Sequence, residues 1–463
     1  MTQATNLDAG LATLATRLDG DVIRPADPTY DAHRAVWNGS ISRRPAGIAR
    51  CATPADVVES IRFARAAMLE VAVRSGGHSF PGLSVVDDGL VVDLGLMKDV
   101  RADPSSRTAR VQAGVLLGEM DHATQAHGFA VPTGAVTHTG VAGLTLGGGI
   151  GWLMRRHGLS IDQLRSVDLV TADGSVLTAS SERNPELFWG MRGAGANFGV
   201  ATEFEFSLNE VGPAVVSGLV FWALEDAEDV SRYYREWAAA APGALTTALI
   251  FRRAPALDIV PEKLHGELVV AVVGCWAGDL EEGEQYWAPL RAFGRPVADL
   301  TERRRHVEHQ AILDPGFPHG VWVYMKACDV PDLTDDIIAA CLEHAEDLAS
   351  PRSSVIAWQL GGAVADVDAD ETAFAGRDAG FIFNISGITD GPEGFDRERD
   401  WVRAHHASLE PHQTSVYSNF LMDADTEDVR AAYGSERFER LQALKRAYDP
   451  DNVFHLNQNI PPA

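Results

Sequence analysis

Two textures of hydrophobic patterning divide the chain. In the first, short apolar runs end in glycine clusters. Val71-Ala72-Val73 runs into Arg74-Ser75-Gly76-Gly77-His78-Ser79, a buried strand feeding a tight loop. Ahead of it, Ile48-Ala49-Arg50-Cys51 is strand-like. Thr53-Pro54-Ala55-Asp56 then reads as a helix start, with a capping Thr, Pro at the first position and an acid at the third. Val57, Ile61, Ala64 and Met68 share one face of that helix. The strand–helix–strand order predicts parallel pairing. Residues 90–94 and 108–113 read as strands, and a helix from about Leu116 to His127 stops at Gly128. Residues 164–178 form a hairpin turning at Asp173-Gly174, and 185–191 a short helix. Val200, Thr202, Phe204 and Phe206 alternate with Glu203 and Glu205, the mark of a half-buried strand.

Past about Glu210 the texture changes. Apolar strands at 215–222, 268–275, 321–326, 355–360 and 381–385 alternate with acidic helices, and glycine clusters thin out. The pattern predicts an α+β fold with a two-part first domain and a second domain of antiparallel sheet covered by helices. The expected divisions are 1–207, 208–412 and a C-terminal segment, 413–463, that returns to the first domain. In that segment residues 415–420 read as a strand. Ser435 caps a last helix carrying Phe438, Leu441 and Leu444, and Asp449-Pro450 ends it.

Charge narrows the partners. The 463 residues hold 39 Lys+Arg against 65 Asp+Glu, a formal charge of -26. That argues against a nucleic-acid surface and against an anionic membrane. Cys51, Cys275, Cys328 and Cys341 show no metal-binding spacing, so no metal site is expected. The N-terminus lacks a basic region followed by an apolar core, and no apolar run is long enough to span a bilayer. A cytoplasmic protein is the expectation; the oligomeric state is not legible.

The glycine clusters carry the chemistry. Gly76-Gly77, Gly140 to Gly151 and Gly193 to Gly199 each lie near a strand end, and glycine lets backbone amides approach an anion. Gly147-Gly148-Gly149-Ile150-Gly151 lacks the GxGxxG spacing of a nicotinamide site, Gly193 to Gly199 has its last glycine one residue late, and no P-loop occurs. The ligand reads as a dinucleotide or other large phosphate compound held in a non-Rossmann way.

Four segments then resemble the vanillyl-alcohol oxidase / p-cresol methylhydroxylase flavoproteins. They are Arg74 to Ser79, Gly140 to Gly151, His157-Gly158-Leu159-Ser160-Ile161-Asp162, and Arg192 to Val200. The ending Tyr448-Asp449-Pro450-Asp451-Asn452-Val453-Phe454, with Asn457-Gln458-Asn459-Ile460, is similar to the berberine bridge enzyme-like branch. The resemblance implies FAD. Its contacts would come from Arg74, Ser75, Gly76, Gly77, Ser79, Thr139, Gly140, Gly143, Gly147, Gly148, Gly149, Gly151, Gly199, Val200 and Asn457, with Gln458 beside it. It implies that His78 bonds covalently to the flavin 8α-methyl group. Val136 stands where many members have a second, cysteinyl link, so one covalent bond is expected. Thr139 falls at the position that gates oxygen, and its small side chain is similar to that of oxidases.

The resemblance also implies the reaction: hydride transfer from a C–H beside O or N to flavin N5, with reoxidation by dioxygen to hydrogen peroxide. Tyr417, in Tyr417-Ser418-Asn419-Phe420, resembles the tyrosine that faces the flavin and is the candidate base. Gln359 is placed by the resemblance on a substrate-contacting strand. Trp322, Tyr324 and Lys326 share a sheet face that would line a substrate pocket or the core, and Asn384 is a polar residue in an apolar strand. His138 lies in the segment beneath the flavin and either tunes the ring or packs. A dehydrogenase with another acceptor, and a flavin-free binding protein on this scaffold, stay open. The small-molecule substrate itself stays open too.

Overall fold

The computed structural model describes residues 3–256 and 260–463; the leader expectation for Met1 and Thr2 falls outside them. The chain is α+β, built on three principal sheets. The first has the order 21–23, 47–50, 90–93, 71–74. Strands Gly47–Arg50 and Val71–Arg74 run parallel but do not touch, because Leu90–Asp93 lies between them and is parallel to both. Their linking helix, Pro54–Ala67, begins as the sequence predicts. The Thr53 hydroxyl accepts the Asp56 amide at 3.3 Å and the Asp56 carboxylate accepts the Thr53 amide at 3.3 Å. Val57, Ile61 and Ala64 are fully buried. Met68 is not on that face: it sits past the helix end with φ 55° and is 89% exposed.

The second sheet is antiparallel, in the order 100–103, 108–112, 200–207, 164–170, 176–180. Phe204 and Phe206 point inward and are fully buried. The third sheet is larger and wholly antiparallel. Its path runs 298–299, 214–223, 268–276, 245–253, 354–359, 381–389, 322–330. One face packs on helices Ala227–Ala239, Asp335–Glu346 and Phe395–Leu409, where Tyr234, Ile337 and Val402 are buried with Val355, Ala357 and Phe383. The other face carries Ile356 and Trp358 toward the first part of the chain. Strand 245–253 was not among the expected strands; its central place in the sheet is set by pairing on both edges.

Residues 415–420 are not a strand. Ser415 makes a single bridge to Asp329, and Ser418–Phe420 forms a 3-10 turn. The turn is held because Asn419 Nδ2 donates to the Leu144 carbonyl at 3.0 Å and to Tyr417 Oη at 2.8 Å. The last helix, Ser435–Tyr448, is capped by Gly434 and not by Ser435. It buries Phe438, Leu441 and Leu444.

A buried ion pair ends that helix. Lys445 Nζ donates to Asp449 Oδ2 at 2.7 Å, to the Asn197 carbonyl at 2.8 Å and to the Phe454 carbonyl at 2.9 Å. The Asp449 carboxylate also accepts the amides of Val453 and Phe454, both at 2.8 Å. Both side chains are inaccessible to solvent. The pair locks the C-terminal tail onto the Gly193–Gly199 segment. Replacing Asp449 with Ala leaves a buried, unpaired ammonium, so urea denaturation of that variant should show a loss of about 3–5 kcal/mol.

Candidate active site

One large cavity lies between the first and third sheets, and the glycine loops form its floor. Gly76 and Gly140 touch backbone to backbone. A Cβ on Gly76 would come within 2.3 Å of the Gly140 nitrogen, and one on Gly140 within 2.4 Å of the Gly76 nitrogen. Gly77 needs its φ of 68° to turn the chain. Among the described residues, the amides of Gly76, Gly77, His78 and Ser79 donate to no protein acceptor. Four successive free amides around a left-handed glycine make a concavity suited to a phosphate oxygen. The floor is completed by Thr139, Gly143 and Gly147, and the far rim by Asn457 and Gln458.

His78 stands at the edge of this floor. Trp37 stacks on its ring at 4.6 Å between centroids, 18° from parallel. Its Nε2 lies 2.7 Å from His138 Nδ1, so the two rings share one proton. Trp37 Nε1 donates to the Phe317 carbonyl at 2.9 Å. Thr137, next to His138, is held by the Asp314 carboxylate, which accepts its amide at 2.9 Å. Residues 314–317 therefore fix both walls around His78. Burial pushes the His78 imidazole well below its usual pKa, and His138 and His319 add to the effect. Burial and His319 also lower His138, against Asp314 and the Phe317 carbonyl, which raise it. Both rings are neutral near pH 7 by this balance. The nearest ring nitrogens of His78, His138 and His319 lie within 4.8 Å of one another. Two nitrogens on one tetrahedral zinc ion stand about 3.3 Å apart, so the shorter His78–His138 contact is a hydrogen bond.

Tyr417 projects into the cavity from the 3-10 turn. Its oxygen receives two donors, the Gly149 amide at 3.0 Å and Asn419 Nδ2 at 2.8 Å. Burial raises its pKa above 10; the two donors pull it back in part. They are placed to stabilise the phenolate once it forms.

Several expected contacts lie elsewhere. Arg74 does not line the cavity: its guanidinium bonds Asp93 Oδ2 at 2.6 Å and the His33 carbonyl at 2.5 Å. Gly148, Gly149 and Gly151 lie behind the floor; Gly149 and Gly151 pack against Ser160 and Thr133 too closely for any side chain. Gly199 and Val200 sit against Val170 in the second sheet. Gln359 faces the helices, with Nε2 on the Ala238 carbonyl at 2.6 Å and Oε1 accepting Thr247 at 2.8 Å. Trp322, Tyr324 and Lys326 do share a face, but it is the helix-covered one. Trp322 meets Phe395 edge-on, Arg403 donates to Tyr324 at 3.1 Å, and Lys326 donates to the Met422 carbonyl at 3.3 Å.

Asn384 does line the cavity, and so do its neighbours Ile356 and Trp358. Ile356 pairs directly with Asn384 across the strands. Strand parity makes the difference: Trp358 and Gln359 are adjacent, so only one can point inward. Knowing Asn384 to be inward would have selected Trp358. Trp37 and Phe317 carried no sequence signal, because each comes from a loop. Val136 lines the cavity. All four cysteines are free and buried, and none reaches it.

The architecture is that of a flavin oxidoreductase. Residues 45–180 match the FAD binding domain family and residues 416–461 the berberine and berberine-like family. The (R)-6-hydroxynicotine oxidase of Paenarthrobacter nicotinovorans is 31% identical over 475 residues, covering 97% of this chain and 98% of its own. The xylooligosaccharide oxidase of Thermothelomyces thermophilus is 30% identical, covering 92% and 89%. The crystal structure of 6-hydroxy-D-nicotine oxidase from Arthrobacter nicotinovorans superposes with a TM-score of 0.86 at 30% identity, over 96% of this chain and 98% of that one. The fold also matches that of a glucooligosaccharide oxidase from Acremonium strictum, which carries a 6-S-cysteinyl, 8α-N1-histidyl FAD; TM-score 0.84, identity 23%, coverage 99% of each. The chain belongs to the berberine bridge enzyme-like FAD-linked oxidoreductases. Members of this family oxidise small organic or sugar substrates.

The contact between the two glycine loops gives a direct check. A Gly76→Ala variant must separate the loops by more than a side-chain adjustment, at about 1–3 kcal/mol of overpacking. It should lose most of its bound flavin, read from visible absorbance, while far-UV circular dichroism stays close to wild type.

Proposed function

We propose that the protein is an oxidase that holds FAD through a single covalent bond to His78 and oxidises a small organic molecule with dioxygen as the acceptor. The observation that carries the tether is the placement of His78. It sits beside four free amides, stacked on Trp37, with Nε2 taken by His138 and Nδ1 left to bond. Val136 and the buried cysteines support one bond and not two.

When bound, FAD would supply the two-electron acceptor for a hydride from a C–H beside O or N, with dioxygen as the final acceptor and hydrogen peroxide as its product. The protein does the rest. Ser75, Gly76, Gly77, Ser79, Thr139, Gly140, Gly143, Gly147 and Asn457 form the cradle. Tyr417 takes the proton from the substrate heteroatom onto Oη, steadied by Gly149 and Asn419. Thr139, a small residue on the cavity floor, leaves room for dioxygen. No helix among the described residues is long and apolar enough to cross a membrane.

The acceptor is tested by photoreducing the enzyme without air and then admitting it. Colour should return within seconds with peroxide released; reoxidation over many minutes would favour a dehydrogenase. For Tyr417 the expectation follows from its raised pKa. Turnover should climb as pH rises into the alkaline range, because only the phenolate accepts a proton. Tyr417→Phe should lower kcat about 10²–10⁴-fold and flatten that climb.

A further inference from the structure

Residues 208–412 give the cavity five side chains: Leu313, Phe317, Ile356, Trp358 and Asn384. Four are apolar and one is an uncharged amide. The C-terminal segment adds Tyr417 and Phe420, with Asn419 and Tyr433 whose donors are taken by the Leu144 carbonyl and Tyr417 Oη and by the Gly193 carbonyl, and the glycine-rich segment adds Ala135, Val136 and Ile150. Among the described residues, no Asp, Glu, Lys or Arg lines the cavity. The nearby charges are engaged with each other or turned away. Arg74 is paired with Asp93, and Arg377 with Asp162 at 2.7 Å, all four side chains less than a tenth exposed. Asp329, behind Tyr417, is bonded to Ser415 at 2.9 Å and does not reach the cavity.

We infer that the substrate is a neutral, planar aromatic alcohol, its ring against Trp358 and Phe317 and its hydroxyl directed to Tyr417, with Asn384 as the second polar contact. The inference deepens the oxidase reading and rests on it. A protonated amine would enter with no counter-charge, and burying an unpaired ion costs several kcal/mol. A carboxylate meets the same cost, since no Arg or Lys is present to receive it. A sugar brings many hydroxyls, each of which needs a partner once out of water. Against these the sheet face offers one amide. That amide is oriented to donate, because Asn384 Oδ1 accepts the Ser386 hydroxyl and, among the described residues, its Nδ2 has no protein acceptor. Trp358 is held by Trp152, with ring centroids 5.0 Å apart, so it offers a fixed aromatic surface. The reaction then balances simply. The carbinol C–H leaves as hydride, the O–H proton goes to Tyr417, the alcohol becomes an aldehyde or ketone, and dioxygen becomes hydrogen peroxide.

Four probes test this on the flavin-loaded wild-type protein, photoreduced beforehand and kept without air so that no probe is oxidised: naphthalenemethanol, naphthylmethylamine in its ammonium form, naphthoate, and xylobiose. Affinities are read from the change in the flavin visible spectrum. The alcohol should bind at least about tenfold more tightly than either charged analogue and than xylobiose. In Asn384→Asp, the new carboxylate should strengthen ammonium binding about tenfold. Equal or tighter binding of the ammonium, the naphthoate or xylobiose to the wild type would overturn the inference, whether or not the variant folds. A wild-type protein that carries no flavin would instead contradict the oxidase reading. The same titrations, followed by quenching of Trp358 fluorescence with Trp358→Phe as reference, still rank the four probes.

Discussion

The site depends on a contact with no room in it, the meeting of Gly76 and Gly140. Two backbone segments, one leaving the first sheet and one leading into the short helix Val141–Leu146, approach so closely that neither can carry a methyl group. The approach sets Gly76 to Ser79 on one side of the cavity and Val136, His138 and Thr139 on the other. It puts His138 within hydrogen-bond reach of His78. The turn at 314–317, ahead of the larger sheet's strand 322–330, then closes the arrangement, because Asp314 grips Thr137 and the Phe317 carbonyl receives Trp37. The proposed tether, phosphate cradle and substrate wall thus share one geometric origin.

Electrostatics makes this closeness consequential. The chain carries a formal charge of -26, yet the cavity proposed to hold a pyrophosphate presents no Lys or Arg among its described lining residues. The burden falls on amide dipoles, which act strongly only when fixed and shielded from water. Free N–H groups at Gly76 to Ser79 are fixed by the Gly76–Gly140 contact and sit part-buried in the cavity, where a bound ligand would complete the shielding. A covalent bond at His78 would add the retention that dipoles alone do not supply. On the proposed substrate side the same absence of charge would leave shape, aromatic surface and polar groups such as Tyr417 and Asn384 to choose the ligand.

Much of this is legible in the sequence, for identifiable reasons. The Thr53 helix start, the strand alternation around Phe204 and the three glycine clusters are local patterns, and local patterns survive folding. The family resemblance points to Tyr417 through a short motif. Parity and direction are what the sequence hides. Gln359 stands one residue away from Trp358, and in a strand one residue is the opposite face. The Trp322, Tyr324 and Lys326 stripe is one face, as its alternation says, but periodicity does not say which layer that face meets. Arg74 has the look of a phosphate ligand, but Asp93, on a strand inserted between the expected neighbours, takes its guanidinium. Trp37 and Phe317 are invisible because loop residues carry no period.

Peptide mapping of the protein, unfolded and digested under reducing conditions, tests the tether most directly. The peptide containing His78 should carry the mass of one FAD, and the peptides containing Cys51, Cys275, Cys328 and Cys341 should be unmodified. Flavin released free on unfolding, or found on any residue other than His78, would contradict the tether.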